Sequence, residues 1–231
     1  MRITLALAAA LAALPLFGAF AAEPDAQAAA RTCGLPAHAR LLQRTREAIA
    51  YSERLHAKGA PRSGIATVAC AYRYGIPYRL NQRDDYYDDG FMRLDRRLLR
   101  LAGTLTASVQ TPSCGACETT NQFVSLRTLR TGRVLRIAPR HFEADSQDEV
   151  DAVTGLVLKR NGSLAFIYRR SPFTSGPGLG PPSYQVYAET SRGEQILDSG
   201  PQIDPSSLTL STDHRTIYWR DGAATRSAPL N

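Results

Sequence analysis

The chain has 231 residues, which is the size of one domain or one array of repeats. Its formal net charge at pH 7 is +7, and all but two of its 28 basic residues are arginines. Nucleic-acid-binding proteins concentrate basic residues on one face or helix, whereas here they are spread along the chain among acidic residues. We therefore expect no nucleic-acid partner, and we interpret the excess of arginine as coding bias rather than as a binding function.

The first 21 residues have the three parts of a cleavable secretory signal peptide. Arg2 carries one positive charge, residues 3–20 contain no charged side chain, and an Ala-Phe-Ala cleavage site ends at Ala21. The alternative is an uncleaved membrane anchor, since the apolar stretch is almost long enough to span a bilayer. A proline and a glycine interrupt that stretch, however. We predict a secreted or extracytoplasmic mature chain, with a charge of +6 after loss of Arg2 and no membrane span.

Four cysteines remain after this cleavage, and an even number in an exported chain predicts two disulfide bonds. Cys114 and Cys117 lie in the turn-like run SCGAC and can pair with each other. Cys33 would then pair with Cys70 and tether an N-terminal extension, residues 22–38, to a strand. A four-cysteine zinc site and a redox-active CxxC motif remain as alternatives, although zinc sites usually pair two closely spaced couples. A thioredoxin-type motif would also need a helix where the sequence after Cys117 is strand-like.

Self-similar hairpins predict that residues 39–231 form a single domain of four β-repeat units. Each unit begins with two apolar strands around a tight turn, and successive turns are 52 to 59 residues apart. These turns lie at Glu47, Gly103, Gly162 and His214. A second hairpin follows in the first three units, where apolar and polar residues alternate as in antiparallel strands with one buried face. We place the units at about 39–81, 92–138, 153–200 and 203–231.

Units of this kind cannot each bury an apolar face alone, which implies that they stack or form a ring. The array resembles secreted β-propeller-like repeat proteins of the broad WD-like and TolB-like type. The run Leu129–Leu135, L-R-T-G-R-V-L, looks like the loop between the third and fourth strands of their blades. The resemblance implies an all-β, antiparallel fold with about four blades. It carries over no functional residue, because the only tryptophan, Trp219, is followed by arginine and not by the aspartate of the WD signature.

A β-sandwich with an N-terminal helix is the competing fold. Residues 41–56 contain good helix formers, and Leu42, Ile49 and Leu55 have helix-like spacing. A helix there would leave only three hairpin units, which favours a sandwich over a closed ring.

Two acidic loops and one group of tyrosines are candidate sites. Weak calcium candidates are Asp84, Asp85, Asp88 and Asp89. Their spacing does not fit an EF-hand, so we predict no bound metal or cofactor. His141 lies among carboxylates in the second acidic loop, where it could serve as a base or a ligand. A rim for sugars or peptides could be formed by Tyr72, Tyr74, Tyr78, Tyr86 and Tyr87, although tyrosine is also a good strand former.

No catalytic motif stands out in the sequence. It contains no G-x-S-x-G elbow, no phosphate-binding glycine loop and no H-E-x-x-H helix. Export, disulfides and repeats favour a non-catalytic module that binds a protein or a glycan. The alternatives are an extracytoplasmic hydrolase or lyase with carboxylates on its loops, and a redox protein that uses Cys114 and Cys117.

Overall fold

Strands account for all the regular structure in the described part of the chain, and they form four antiparallel sheets. A computed structural model describes residues 33–55, 64–81, 91–113, 122–139, 152–170 and 181–231. Sheet 1 contains β1 (Arg40–Arg44), β2 (Ala48–Leu55), β3 (Gly64–Ala71) and β4 (Pro77–Arg79). Sheet 2 contains β5 (Phe91–Ala102), β6 (Leu105–Ser113), β7 (Phe123–Thr128) and β8 (Val134–Ala138). Sheet 3 contains β9 (Ala152–Leu158), β10 (Leu164–Arg170), β11 (Ser183–Thr190) and β12 (Gly193–Gly200). Sheet 4 contains β13 (Thr209–Leu210), β14 (Thr216–Asp221) and β15 (Ala224–Pro229).

Each sheet is a meander in which every strand pairs with the next strand of the chain. The prediction of an all-β fold with repeated antiparallel sheets is confirmed. All four predicted turns, at Glu47, Gly103, Gly162 and His214, lie between the first two strands of their sheets. Among the described residues no helix is long and apolar enough to cross a membrane.

The alternative prediction of a helix over residues 41–56 is wrong, because the described residues of this segment, 41–55, form β1, a turn and β2. Ala48 and Ala50 pack on one face of β2, while Ile49 and Tyr51 pack on the other. All four side chains are buried, so the strand has no polar face and no alternation. A strand covered on both faces reads as a continuous apolar run, which cannot be told from a buried helix by periodicity alone.

The sheets stack face to face through shared hydrophobic clusters. Sheets 1 and 2 share a cluster that includes Ala50, Ala69, Leu99, Leu101 and Leu129. Sheets 2 and 3 share a cluster that includes Val109, Leu126, Leu156 and Phe166. Sheets 3 and 4 share a cluster that includes Ile167, Val186, Ile217 and Leu230. The other face of sheet 1 packs against Cys33 and Ala39, and within the described ranges no cluster joins sheet 4 to sheet 1.

The first turns of the sheets gather at one end of this stack. Arg160, in the first turn of sheet 3, forms an ion pair with Glu47 in the first turn of sheet 1 at 2.6 Å. The aliphatic part of Arg160 also lies beside Gly103, in the first turn of sheet 2. The hydroxyl of Ser163 donates to the main-chain oxygen of Asn231 at 2.6 Å. This bond brings the residues that follow β15 of sheet 4 close to the first turn of sheet 3.

A disulfide bond joins Cys33 to Cys70, as predicted, and so ties the segment before β1 to the buried strand β3. Cys70 is fully buried, and Cys33 packs against the same cluster. Within the described part of the chain there is no free cysteine. Cys114 and Cys117 lie outside the described residues.

Removing the Cys33–Cys70 bond should lower the free energy of unfolding by about 3–4 kcal/mol, because the bond closes a loop with a sequence separation of 37 residues. The test is urea unfolding of Cys33→Ser/Cys70→Ser in a Cys114→Ser/Cys117→Ser background, where no other intramolecular bridge can form. A reducing agent should destabilise the background protein by the same amount and leave the cysteine-free variant unchanged. Equal stability of the two proteins without reducing agent would contradict the prediction.

The single tryptophan reports on the contact between sheets 3 and 4. Trp219 of β14 is only 4% exposed, and its indole Nε1 donates to Oδ2 of Asp198 on β12 at 2.7 Å. Asp198→Ala should cost about 1–3 kcal/mol, because it leaves a buried donor without an acceptor. Asp198→Asn keeps one side-chain oxygen and should cost less. Urea unfolding followed by Trp219 fluorescence measures both variants, and an equal loss in the two would exclude the hydrogen bond as the cause.

Candidate functional site

Most of the candidate residues from the sequence lie outside the described part of the chain. This holds for the four calcium-candidate aspartates, for His141 and for Tyr86 and Tyr87. In the part that is described, no three His, Cys, Asp or Glu side chains come close enough together to hold a metal ion. The remaining candidates are Tyr72, Tyr74 and Tyr78.

These three tyrosines have different surroundings. Tyr72 is 40% exposed, and Tyr74 packs partly against the cluster between sheets 1 and 2, with the Arg73 guanidinium 6.0 Å from its ring centroid. Tyr78, on β4, reaches across to sheet 2, where its hydroxyl donates to the main-chain oxygen of Arg130 at 3.2 Å. Tyr78 therefore links the two sheets through a hydrogen bond.

An open groove of about 890 Å³ lies beside this contact, between β4 and the turn that joins β7 to β8. We call it the basic groove. It is lined by Tyr78, Arg127, Thr128, Arg130, Thr131, Gly132, Arg133, Val134 and Leu135. Most of these residues belong to the run Leu129–Leu135, for which the sequence suggested only a blade loop.

The turn is held by its own hydrogen bonds. Thr128 N donates to the Arg133 oxygen at 3.0 Å, and Gly132 N donates to the Thr128 oxygen at 2.9 Å. The Thr128 hydroxyl accepts from Arg130 N at 3.2 Å, and the Thr131 hydroxyl accepts from Arg133 N at 3.4 Å. Threonine side chains of this kind stabilise turns locally. These hydrogen bonds fix the backbone of the turn.

Leu129 anchors this turn to the core. Its side chain is fully buried in the cluster between sheets 1 and 2, and its N–H donates to the Thr104 oxygen at 2.8 Å. The next two residues, Arg130 and Thr131, are exposed. A buried residue followed by exposed ones presents the arginine to solvent on a fixed backbone.

Glycine is required at position 132. Its φ is +74°, a left-handed conformation that costs an L-residue about 1–2 kcal/mol. A Cβ at this position would also lie 2.3 Å from Cδ1 and Cε1 of Tyr78. The tyrosine ring therefore packs directly against the glycine backbone, and this contact defines one wall of the groove.

Arg130 and Arg133 give the groove a positive charge. No described residue neutralises this charge. Arg127 is 9% exposed, and its guanidinium donates to the Gly132 oxygen at 2.5 Å, so it braces the turn from within. Arg130 and Arg133 are exposed, and in the described part of the chain neither lies within 4.0 Å of a carboxylate oxygen. A guanidinium is planar and binds carboxylate, sulfate or phosphate groups with two parallel hydrogen bonds. The arrangement is suited to an anionic ligand.

The sequence interpretation missed these arginines because arginine is common throughout the chain. The usable signal was local, with arginines at positions 127, 130 and 133 around a Thr-Gly turn. No model of a known protein family matches the chain, and a comparison with curated proteins gives no match.

Gly132→Ala should destabilise the protein more than Gly103→Ala, which serves as its control. Both glycines have similar left-handed φ angles, +74° and +61°, so both variants carry the same backbone strain. At Gly103 the new Cβ would only touch Cγ of Arg160 at 3.7 Å, whereas at Gly132 it would overlap the Tyr78 ring. We expect a further loss of about 1–3 kcal/mol for Gly132→Ala, measured by urea unfolding. Equal losses would show that the Tyr78 contact is not tight.

Proposed function

We propose that this chain is an exported, non-catalytic binding module whose basic groove holds an anionic group of a protein or glycan. The observation that carries the proposal is the pair of exposed arginines, Arg130 and Arg133, on a turn held by its own hydrogen bonds. A preorganised site loses little conformational freedom on binding, which favours affinity. Tyr78 adds an aromatic wall beside these two charges.

The composition of the groove supports binding over catalysis. Its lining consists of tyrosine, arginine, threonine, glycine, valine and leucine. General acid–base catalysis normally requires a histidine or carboxylate within hydrogen-bond reach of the substrate. The hydrolase, lyase and redox alternatives depend on residues outside the described ranges, so no observation favours them.

Two features support an extracytoplasmic location. Disulfide bonds persist in oxidising compartments, and the chain contains the Cys33–Cys70 bond. Residues 1–21 also have the composition of a signal peptide. In this proposal the mature chain is secreted or retained outside the cytoplasm.

We also propose that the four sheets are blades of a small propeller-like array. In support, β5 contacts β1 on one side and β9 on the other, so the first strands of successive sheets adjoin. The gathering of the first turns at one end fits sheets that radiate from a common axis. The basic groove would then lie towards the outside, between the last strands of two neighbouring blades.

Binding of anionic probes tests the proposed function. Fluorescein-labelled sulfated, uronate and neutral oligosaccharides and an acidic peptide are titrated with the full mature chain at about 0.15 M salt. Arg130→Gln/Arg133→Gln should weaken binding of the anionic probes by about tenfold or more. Tenfold in Kd corresponds to about 1.4 kcal/mol, and one hydrogen bond to a charged group contributes about as much.

The matched control is Arg192→Gln/Arg215→Gln, which removes the same charge from two exposed arginines in turns of sheets 3 and 4. It should leave the affinity within about twofold, since neither arginine lines the groove. Equal losses in the two variants, or no binding of any anionic probe, would contradict the proposal.

A further inference from the structure

We propose that the basic groove and the outer edge of β8 together form a docking surface for an extended, acidic segment of a partner protein. The segment would add to sheet 2 as an extra strand beside β8, with its acidic end at Arg130 and Arg133. This inference rests on the proposed function and identifies the ligand of the same groove as a peptide.

The first observation is the edge of the sheet. β8 is the last strand of sheet 2 and pairs with β7. Within the described ranges no strand pairs with its other side. The main-chain N–H and C=O groups along such an edge are a template for another strand, and several peptide-binding domains recognise their ligands in this way.

The second observation is apolar surface on the same strand. Leu135 is 41% exposed and Ile137 is 47% exposed, although β8 has only five residues. Ile137 pairs directly with Ser125, which is two residues from Arg127 on β7. Paired residues and residues two apart share a face of a sheet, so Ile137 lies on the same face as Arg127. Arg127 lines the basic groove, so the apolar surface at Ile137 is continuous with the groove.

The third observation is the charge at one end of this strand. The strand begins directly after the turn that presents Arg130 and Arg133. A strand advances about 3.3 Å per residue, so a peptide alongside β8 reaches the turn after a few residues. Its residues beside Leu135 and Ile137 would be apolar, and those beside the turn would be acidic.

The outer edges of sheets 3 and 1 fit an acidic peptide less well. β12 carries Glu194 and Asp198, whose carboxylates would repel an acidic partner. β4 has three residues, and one of them, Pro77, has no N–H to donate. A sulfated or uronate glycan would use the arginines but would leave both the main-chain edge and the exposed apolar side chains of β8 unused. The observations therefore favour a peptide over a glycan.

Fluorescence anisotropy with labelled ten-residue peptides tests the inference. Each peptide alternates valine and threonine and carries three aspartates, at the N-terminus in one peptide and at the C-terminus in the other. The C-terminal aspartates reach the turn when the peptide runs antiparallel to β8, and the N-terminal aspartates reach it when the peptide runs parallel. We expect one of the two peptides to bind more tightly, because the two pairing directions differ in hydrogen-bond pattern and stability. Ile137→Asp should weaken that peptide by about tenfold or more, since the new carboxylate replaces an apolar contact and repels the ligand.

The matched control is Ile196→Asp on β12, where the isoleucine is 54% exposed at an edge of sheet 3. This variant should bind the peptide within about twofold of the unmodified chain. Equal losses in the two variants would overturn the inference. Trp219 fluorescence and circular dichroism check that both variants are folded before they are compared.

A second measurement uses the unmodified chain and modifies the peptide instead. Two versions of the peptide are N-methylated, one at the odd-numbered residues and one at the even-numbered residues. Each version therefore lacks the main-chain N–H donors along one edge of the peptide strand. Strand addition predicts that one version loses binding and the other retains it. If both retain binding, no strand is added and the inference is wrong.

The design separates failure of this inference from failure of the proposed function. If a sulfated or uronate oligosaccharide binds through Arg130 and Arg133 while neither peptide binds, the groove takes anions and the peptide assignment is overturned. If no anionic probe of either kind binds, both proposals are overturned.

Discussion

Each sheet of this protein must cover its apolar faces with neighbouring sheets, and the rest of the structure follows from that requirement. Three or four short strands cannot enclose a core of their own, because a single sheet exposes both faces to water. The buried residues accordingly fall between sheets, in clusters that join sheet 1 to 2, 2 to 3 and 3 to 4. Burial contributes roughly 25 cal/mol for each Å² of apolar surface, so every sheet depends for its stability on the next. The disulfide bond reinforces the one face, on sheet 1, that packs against the N-terminal segment.

The interface between sheets 1 and 2 is partly polar. Thr106, Ser108, Gln110, Ser125 and Arg127 are all buried on one face of sheet 2. Gln110 donates to the Leu80 oxygen at 2.9 Å, and Gln43 accepts from Leu101 N at 2.9 Å, so side chains from both sheets satisfy main-chain groups of the other. Hydrogen bonds of this kind require one relative placement of the sheets, because a buried polar group without a partner costs about 1–3 kcal/mol. The same interface ends in the basic groove, where Tyr78 and the turn after β7 meet. Position and rigidity of the groove are therefore consequences of how these two sheets pack.

A rigid scaffold that presents exposed charge on a turn is a common solution for recognition, since binding residues concentrate on loops that the core holds in place. The turn before β8 has this character at the level of single residues. Leu129 is buried, and Gly132 lies against an aromatic ring. Arg130, which lies between these two residues, and Arg133, which follows Gly132, are exposed. The adjoining edge of β8 adds main-chain donors and acceptors to the same surface. The turn and β8 thereby combine positive charge with an open strand edge. Tyr78, from sheet 1, adds the aromatic surface.

Much of the local architecture can be predicted from the amino-acid sequence. The all-β class, the repeated hairpins and the positions of turns such as Gly103 and Gly162 depend on residues a few positions apart, where alternation and glycine act directly on the backbone. The same local patterns were ambiguous for β2, since a strand buried on both faces has no alternation to recognise. The basic groove, in contrast, depends on tertiary packing. Tyr78 and Arg130 are 52 residues apart, and each alone looks like an ordinary strand former or an ordinary surface charge. They become one site because sheets 1 and 2 must bury their faces against each other, and packing between distant segments leaves no trace in local periodicity.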